Sequence, residues 1–447
     1  MKKLIFGVML CITYISSAQT LSYNDIGVLF SRENVNGTAR FNGMSGAFGA
    51  LGGDLSAIDI NPAGAAVFLK SEFSASLNIR NTETSAAFYG NRELSEDDFT
   101  DLSQAGGVAV FKTYNRNSEW NKIALGFNYN MANDFENQWF TGGNSGYAPI
   151  TDLYDYDPVV YVNTEGQYFE NYTDGRNNKY TFTFAAQYSD NLYLGASIST
   201  FDVEYYQGSL IEEYNNDGEG NTLDISSIQE LGTYGDGFSF SLGLISKPND
   251  NLRLGLSYQS PVWYDLSEEY VDYDVELYYS DTDETVTDFS GLNRFDYDLR
   301  TPSKITGSVA YVFNTQGLIS LDYIYKDYSN IKLSNSNFSV ENKLFESELE
   351  SRGEIRLGTE WRFDNFSFRG GYNYEKSPYK NAKDSDNLEG FSVGAGYTFR
   401  GGRFDLSYQK YSNTAPYNIY GQYSDQVDSA ELDYDISKFT ATLVINI

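Results

Sequence analysis

Arg253, Arg356 and Arg369 fall on the polar phase of stretches in which apolar and polar residues alternate. If those stretches are strands, the three guanidiniums point to one interior. There a guanidinium can grip a carboxylate through two parallel hydrogen bonds. Two uses follow. One arginine can receive the carboxylate of a bound ligand, or all three can pair with inward acids such as Asp322, Glu360 or Asp405 and stiffen the interior. Charge networks of the second kind are common in polar interiors, and that use is favoured. Catalysis has little support. The chain contains no histidine, which removes a Ser–His–Asp triad and any histidine metal site. Acid pairs abound, but no spacing singles one out as a hydrolytic pair. Asn215-Asn216-Asp217-Gly218-Glu219-Gly220 and Asp384-Ser385-Asp386-Asn387 carry calcium-type oxygen ligands. Neither follows the helix–loop–helix pattern, and solvated loops explain both better. The reading is a non-enzyme without metal or cofactor.

These residues need a scaffold, and composition names its class. The 447 residues include 39 Tyr, 30 Phe and 40 Gly against 8 Pro, and no long Ala/Glu/Leu/Lys-rich tract appears. The class is all-β. Acidic residues outnumber basic ones 62 to 31, which excludes nucleic acid as a partner and argues against attraction to an anionic membrane surface. At the start, Lys2 and Lys3 precede the apolar stretch Leu4 to Ile15 and the small residues Ser16-Ser17-Ala18. This reads as a signal peptide, residues 1–18, cleaved between Ala18 and Gln19. Cys11, the single cysteine, leaves with it. No later run of 18 apolar residues exists, so a spanning helix is excluded.

Strict alternation is the strongest signal. Leu252, Leu254, Leu256 and Tyr258 alternate with Arg253, Gly255, Ser257 and Gln259, and Phe391 to Phe399 and Phe439 to Ile447 repeat the pattern. Such runs are long enough to cross a bilayer as tilted strands. Their off-phase residues are small and polar, suiting a wet or plugged interior. About fourteen segments can be placed, near 71–84, 104–114, 120–133, 179–188, 191–206, 236–247, 251–264, 300–313, 317–328, 350–362, 365–375, 389–400, 402–411 and 436–447. Connections alternate between short (115–119, 189–190, 248–250, 314–316, 364, 401) and long (85–103, 134–178, 207–235, 265–299, 329–349, 376–388, 412–435). Periplasmic turns and extracellular loops produce that alternation. The expected fold is a transmembrane antiparallel β-barrel, residues 71–447, with both termini periplasmic. Acidic, aromatic loops such as Asp152-Leu153-Tyr154-Asp155-Tyr156-Asp157 face outward, and Trp139, Trp263 and Tyr264 stand at the membrane interfaces.

Residues 19–70 do not alternate. The run Ser45-Gly46-Ala47-Phe48-Gly49-Ala50-Leu51-Gly52-Gly53 leads into Asp54-Leu55-Ser56-Ala57 and then Asn61-Pro62-Ala63-Gly64. Small residues permit close backbone packing, and Asn-Pro makes a turn, so this segment is expected to fold into the lumen as a plug. These residues, with Leu256-Ser257-Tyr258-Gln259-Ser260-Pro261-Val262 and Leu299-Arg300-Thr301-Pro302, resemble the FadL/TodX family of outer-membrane transporters for fatty acids and aromatic hydrocarbons. The resemblance implies a lumenal hatch inside fourteen strands and a lateral exit where the third strand kinks beside the Asn-Pro-Ala turn. Carried over, Asp54, Asn61, Pro62, Ala63 and Gly64 belong to that hatch and gate, and Gly126 relaxes the third strand. Ile447 departs from the aromatic residue that commonly ends such barrels. The expected function is passive uptake of hydrophobic small molecules across the outer membrane of a Gram-negative cell, with bilayer and lipopolysaccharide as surroundings. The rival is a non-transporting barrel serving as a subunit or shuttle of a larger envelope assembly, with protein partners there.

Overall fold

The structure, a computed structural model, describes residues 23–113, 118–150 and 161–447. The expected signal peptide and cleavage site, Cys11 and the acidic stretch 152–157 lie outside the described residues. Fourteen antiparallel strands form one closed barrel. They are β1 (Glu72–Phe88), β2 (Asn91–Lys112), β3 (Trp120–Asp134, resumed as Asn137–Gly143), β4 (Asn163–Tyr188), β5 (Leu192–Asn216), β6 (Thr222–Ser246) and β7 (Leu252–Gln259 and Trp263–Tyr279). Then come β8 (Glu284–Phe289, Leu292–Arg300 and Lys304–Phe313), β9 (Gly317–Asp327 and Lys332–Ser334), β10 (Ser351–Phe363), β11 (Phe366–Glu375), β12 (Leu388–Phe399), β13 (Gly402–Tyr417) and β14 (Ala430–Asn446). Each strand pairs with its sequence neighbour, and β14 closes on β1 from Glu72↔Asn446 to Ala87↔Glu431.

Closure leaves two faces. Phe73, Leu77 and Ile79 of β1, Phe182 and Phe184 of β4, and Phe439, Leu443 and Ile445 of β14 are exposed on the outside. Ser74, Ser76, Asn78, Thr181, Thr183, Thr440 and Thr442 are buried within. A continuous apolar exterior over a polar interior inverts a water-soluble protein and matches a barrel solvated by lipid. Among the described residues, no helix is long and apolar enough to cross a membrane, which says nothing about strands.

The short connections fall at one end of the barrel, as expected, but several long loops are largely strand. β1 and β2 run on to a tight turn at Tyr89-Gly90, and β5 pairs with β6 without interruption from Leu192↔Ser246 to Asn216↔Thr222. Outward residues there become charged (Asp202, Glu204), so the lipid-facing signal ends while the ladder continues. Backbone groups must pair wherever side chains leave them room, whatever the side-chain polarity.

Side-chain parity also corrects the interface residues. Trp263 is exposed, whereas its neighbour Tyr264 necessarily faces inward and is buried. Trp139 lies beyond the interruption of β3 and is buried against Phe169 and Tyr417.

Residues 23–70 fill the lumen. Helix α1 (Tyr23–Ser31) is followed by the short turns α2 (Ala39–Asn42) and α3 (Ala57–Ile60) and a 3-10 turn, Pro62–Val67. The stretch from Ala39 to Leu51 is buried throughout. Thr38 caps α2 by accepting a hydrogen bond from Phe41 N at 3.2 Å. The chain enters β1 at the short-turn end, but α1 lies at the opposite end. There Gly27 packs on Phe345 of helix α4 (Ser339–Glu348), and Asp25 accepts a hydrogen bond from Tyr379. The expectation that both termini share the short-turn side therefore holds for the C-terminus but not for the described start of the chain. The N-terminal segment threads the whole lumen.

Candidate functional site

The segment is held by charge and by close backbone contact. Arg369 donates to Glu360 at 2.7 Å and to Asp405 at 2.8 Å, and Arg40 from the segment reaches the same Glu360 at 2.7 Å. Arg356 pairs with Glu354, and Arg253 donates through Nη1 to Leu51 O at 2.9 Å. All three arginines thus brace the segment or the wall. Asp54 accepts from Thr38 Oγ1 at 2.7 Å and Ser56 N at 3.1 Å. Asn61 donates to Gly49 O at 2.8 Å and Leu244 O at 3.1 Å while accepting from Ala63 N. That turn lies flat on β5 and β6. A Cβ on Gly195 would meet Ala63 N at 2.4 Å, and one on Gly243 would meet Asn61 Oδ1 at 2.0 Å. Gly64 stacks on Gly52, and Gly126 faces Ile58.

We expect Gly195→Val to cost about 1–3 kcal/mol through overpacking. The cost appears as a lower unfolding temperature in detergent and faster proteolysis after Lys70. An unchanged temperature would show that the turn has room to move.

The wall itself is interrupted in β3. Pairing with β2 runs from Lys112↔Lys122 to Gln104↔Asn130 and stops. Pairing with β4 shifts register between Met131 and Asn133, and above the interruption Asn137–Gly143 pairs with β4 alone. Among the described residues no ladder joins β2 above Gln104 to β3 above Asn130. Side chains span the seam instead: Gln138 N donates to Asp97 Oδ2 at 3.1 Å, and Asn91 Nδ2 to Gly142 O at 2.8 Å. Arg80 of β1 pairs with Asp134 at 2.7 Å. A cleft of about 480 Å³ opens here, lined by Met131, Asp134 and Glu136 of the interruption with Asp101, Gly175 and Tyr205 around them.

The carbonyls that β3 loses from its ladder are recovered by the N-terminal segment. Asn34 N donates to Ala132 O at 2.9 Å, and Asn36 Nδ2 donates to Met131 O at 2.8 Å. Asn133 in turn donates to Arg32 O at 2.6 Å. The Asn61–Gly64 turn is elsewhere, on β5 and β6, and Gly126 sits in the regularly paired part of β3. The expected meeting of that turn with the strand-3 irregularity does not occur; residues 32–36 meet it instead.

Above this level an apolar cluster occupies part of the lumen. Phe30 of α1 packs against Phe135, Tyr205 and Tyr264 with ring centroids 5.8, 6.1 and 6.3 Å away. Ile26, Val28, Phe201, Val262, Leu266 and Leu299 belong to the same cluster. At its floor stand three lysines. Lys304 Nζ lies 3.0 Å and Lys179 Nζ 3.7 Å from Glu33 Oε2, Gln259 Nε2 donates to Glu33 Oε1 at 3.1 Å, and Lys326 Nζ donates to Ser31 O at 3.3 Å. Burial opposes ionisation of Glu33, yet the lysines prevail and hold its carboxyl well below the ordinary carboxylate range. The parity argument that picked out arginines applies equally to Lys179, Lys304 and Lys326, which share the polar phase of their strands; extending it to lysine would have found them.

A family model for outer membrane transport proteins (OMPP1/FadL/TodX) matches residues 26–411. The chain belongs to this family. Among solved structures, a Pseudomonas aeruginosa FadL homologue is similar at 16% identity and a TM-score of 0.60, over 93% of this chain and 99% of that one. The Pseudomonas putida toluene transporter TodX follows at 14% identity and 0.57, over 93% and 100%. The Ralstonia pickettii toluene transporter TbuX gives 14% and 0.53, over 94% and 100%. At these identities the likeness concerns the fold. No curated protein sequence matches. As a FadL/TodX-family barrel the protein resides in the outer membrane and transports hydrophobic compounds. In a barrel so placed the short-turn end is periplasmic and the strand extensions are extracellular.

Proposed function

We propose that the protein is a passive uptake channel in which a hydrophobic molecule enters from the extracellular end, dwells in the aromatic chamber around Phe30, and leaves sideways through the β2–β3 seam. The observation that carries this reading is the stretch of β3 at Met131–Glu136 that has lost its β2 partner while still bound to β4, adjoining the chamber through Tyr205 while the N-terminal segment blocks the axial route. An apolar molecule gains transfer free energy by passing directly into lipid and gains none in a watery pore. Residues 23–70 act as the hatch, with Asp54 and Asn61–Gly64 as its fixed base and Asn34 and Asn36 as the part that touches the gate. Arg253, Arg356 and Arg369 anchor the hatch, and the contact with a ligand headgroup passes to the lysines. Long-chain fatty acids and aromatic hydrocarbons are the candidate cargo, delivered to an outer leaflet of lipopolysaccharide. The chemistry is transport, with no catalytic step.

The test is mass spectrometry of small molecules retained by the detergent-purified barrel, repeated with Phe135→Ala. A hydrophobic compound at near-stoichiometric level, reduced about tenfold or more when one chamber ring is removed, supports the reading. Barrels that are always empty and co-purify with envelope proteins would favour an assembly subunit.

A further inference from the structure

Unpaired strand edges seek partners, so two facing lips of one barrel wall tend to close the gap between them. In this barrel the gap persists. Above Gln104↔Asn130 the strands part because β3 turns into the lumen and passes behind β2. Thr84 Oγ1 of β1 donates to Asn137 Oδ1 of β3 at 3.1 Å, and a Cβ on Gly143 would stand 2.7 Å from Phe88 O of β1. In a regular sheet β1 and β3 would lie about 9.6 Å apart, twice the spacing of neighbours. Contacts this close require β3 to have left the wall.

One side chain ties the bend to β1. Arg80 lies over the ring of Phe99, 4.6 Å from its centre, and reaches past β2. Its Nη2 stands 2.7 Å from Asp134 Oδ2 and 3.6 Å from Glu136 Oε2, while Nη1 donates to Glu136 O at 3.1 Å. The side chains of Arg80 and Asp134 are only 11% and 8% exposed, where losing a charge partner is costly. Lys438, opposite Arg80 on β14, donates to Val35 O at 2.7 Å, and its like charge favours the reach of Arg80 toward β3. Asp134 Oδ1 also accepts from Glu136 N at 3.1 Å, so the carboxylate that ties the bend shapes it as well. On the facing lip, Asp101 of β2 brings a carboxylate oxygen within 4.8 Å of those of Asp134 and Glu136. Like charges across the gap oppose its closing.

We propose that the Arg80–Asp134 ion pair is a strut: it holds β3 inward against β1 and so keeps the β2–β3 seam from zipping shut. Both are positioning residues, acting on the wall and not on the cargo. The inference rests on the lateral exit proposed above and names what sets its width. Asn34 and Asn36 bind the carbonyls of Ala132 and Met131 just below, so the strut governs the stretch beyond them. Asp134→Asn keeps the Oδ1 acceptor that shapes the bend but removes both the ion pair with β1 and one of the facing charges. Each loss favours the return of β3 to β2. Release of cargo then slows, while the chamber that holds it is untouched.

The experiment follows a pyrene-labelled dodecanoate in the full barrel, measuring the amount retained at equilibrium and the rate of transfer into acceptor vesicles. Wild type, Asp134→Asn and the exchanged pair Arg80→Asp with Asp134→Arg are compared, with folding of each read from the heat-dependent gel shift of an intact barrel. Asp134→Asn is expected to retain the probe within about twofold of wild type but to transfer it about tenfold more slowly. The exchanged pair is expected to recover most of that rate, which a merely structural role for either residue would not produce. Spin labels on Leu94 of β2 and Gln138 of β3 report the gap directly, and their separation should shorten in Asp134→Asn. Transfer that is unchanged or faster in Asp134→Asn, or an unchanged separation, would overturn the strut while leaving lateral exit intact. A wild-type barrel that neither retains nor transfers the probe would sink the transport reading and this inference with it.

Discussion

Bridging β2 to β3 above their last paired residues is expected to stop delivery of cargo while leaving the barrel folded. Asp97→Cys with Gln138→Cys places two thiols where Gln138 N now lies 3.1 Å from Asp97 Oδ2. The only native cysteine, Cys11, lies in the expected signal peptide. A short bis-thiosulfonate linker then ties the strands without demanding disulfide geometry. If cargo leaves through the seam, transfer of a fluorescent fatty acid into vesicles falls about tenfold or more on cross-linking and returns on reduction. The comparison protein carries Thr414→Cys and Asp433→Cys, which face each other across the unbroken β13–β14 ladder. Linking that pair should change nothing. Undiminished transfer through a fully cross-linked seam would exclude lateral exit at this place and direct attention to the axial path.

The second large effect concerns Glu360. Its carboxylate is buried and takes Arg40 of the N-terminal segment, Arg369 of β11 and Arg362 of its own strand. Glu360→Ala leaves Arg40 and Arg369 in the lumen without this shared counter-ion. Breaking a buried pair in this way costs about 3–5 kcal/mol. Two readouts are expected to move together: a clearly lower unfolding temperature in detergent, and ion-conducting bursts in planar bilayers as residues 39–51 loosen from the wall. Glu360→Gln, which keeps a hydrogen-bond acceptor but not the charge, should fall between. A closed, unaltered conductance in the alanine variant would mean that the many backbone contacts of the segment, not this cluster, keep the lumen shut.

Much of the architecture was legible because a barrel wall obeys a local rule. Side chains alternate sides with period two, so Leu254, Leu256 and Tyr258 declare the lipid face and Arg253, Ser257 and Gln259 the lumen without reference to any other strand. The same rule put Arg356 and Arg369 inside, together with the acids Asp322, Glu360 and Asp405. It fails at interruptions. The register shift in β3 between Met131 and Asn133 reverses the phase, which is why Trp139 is interior. It also fades where outward residues become charged, so ladders that continue past Asp202 and Glu204 looked like loops.

Composition and period by themselves determined an all-β transmembrane barrel of about fourteen strands with a small-residue N-terminal segment set apart from it, and family resemblance added transport of hydrophobic compounds. Tertiary structure decided where that segment runs. The Asn61–Gly64 turn rests on Gly195 and Gly243 near the periplasmic end, while Glu33, Asn34 and Asn36 meet Lys179, Lys304 and the broken strand higher in the lumen. The physical reason is range: alternation is set within a strand by neighbouring residues, but the site is assembled from groups as far apart in the chain as Glu33 and Lys304, and their approach depends on barrel closure and register, which no local pattern encodes.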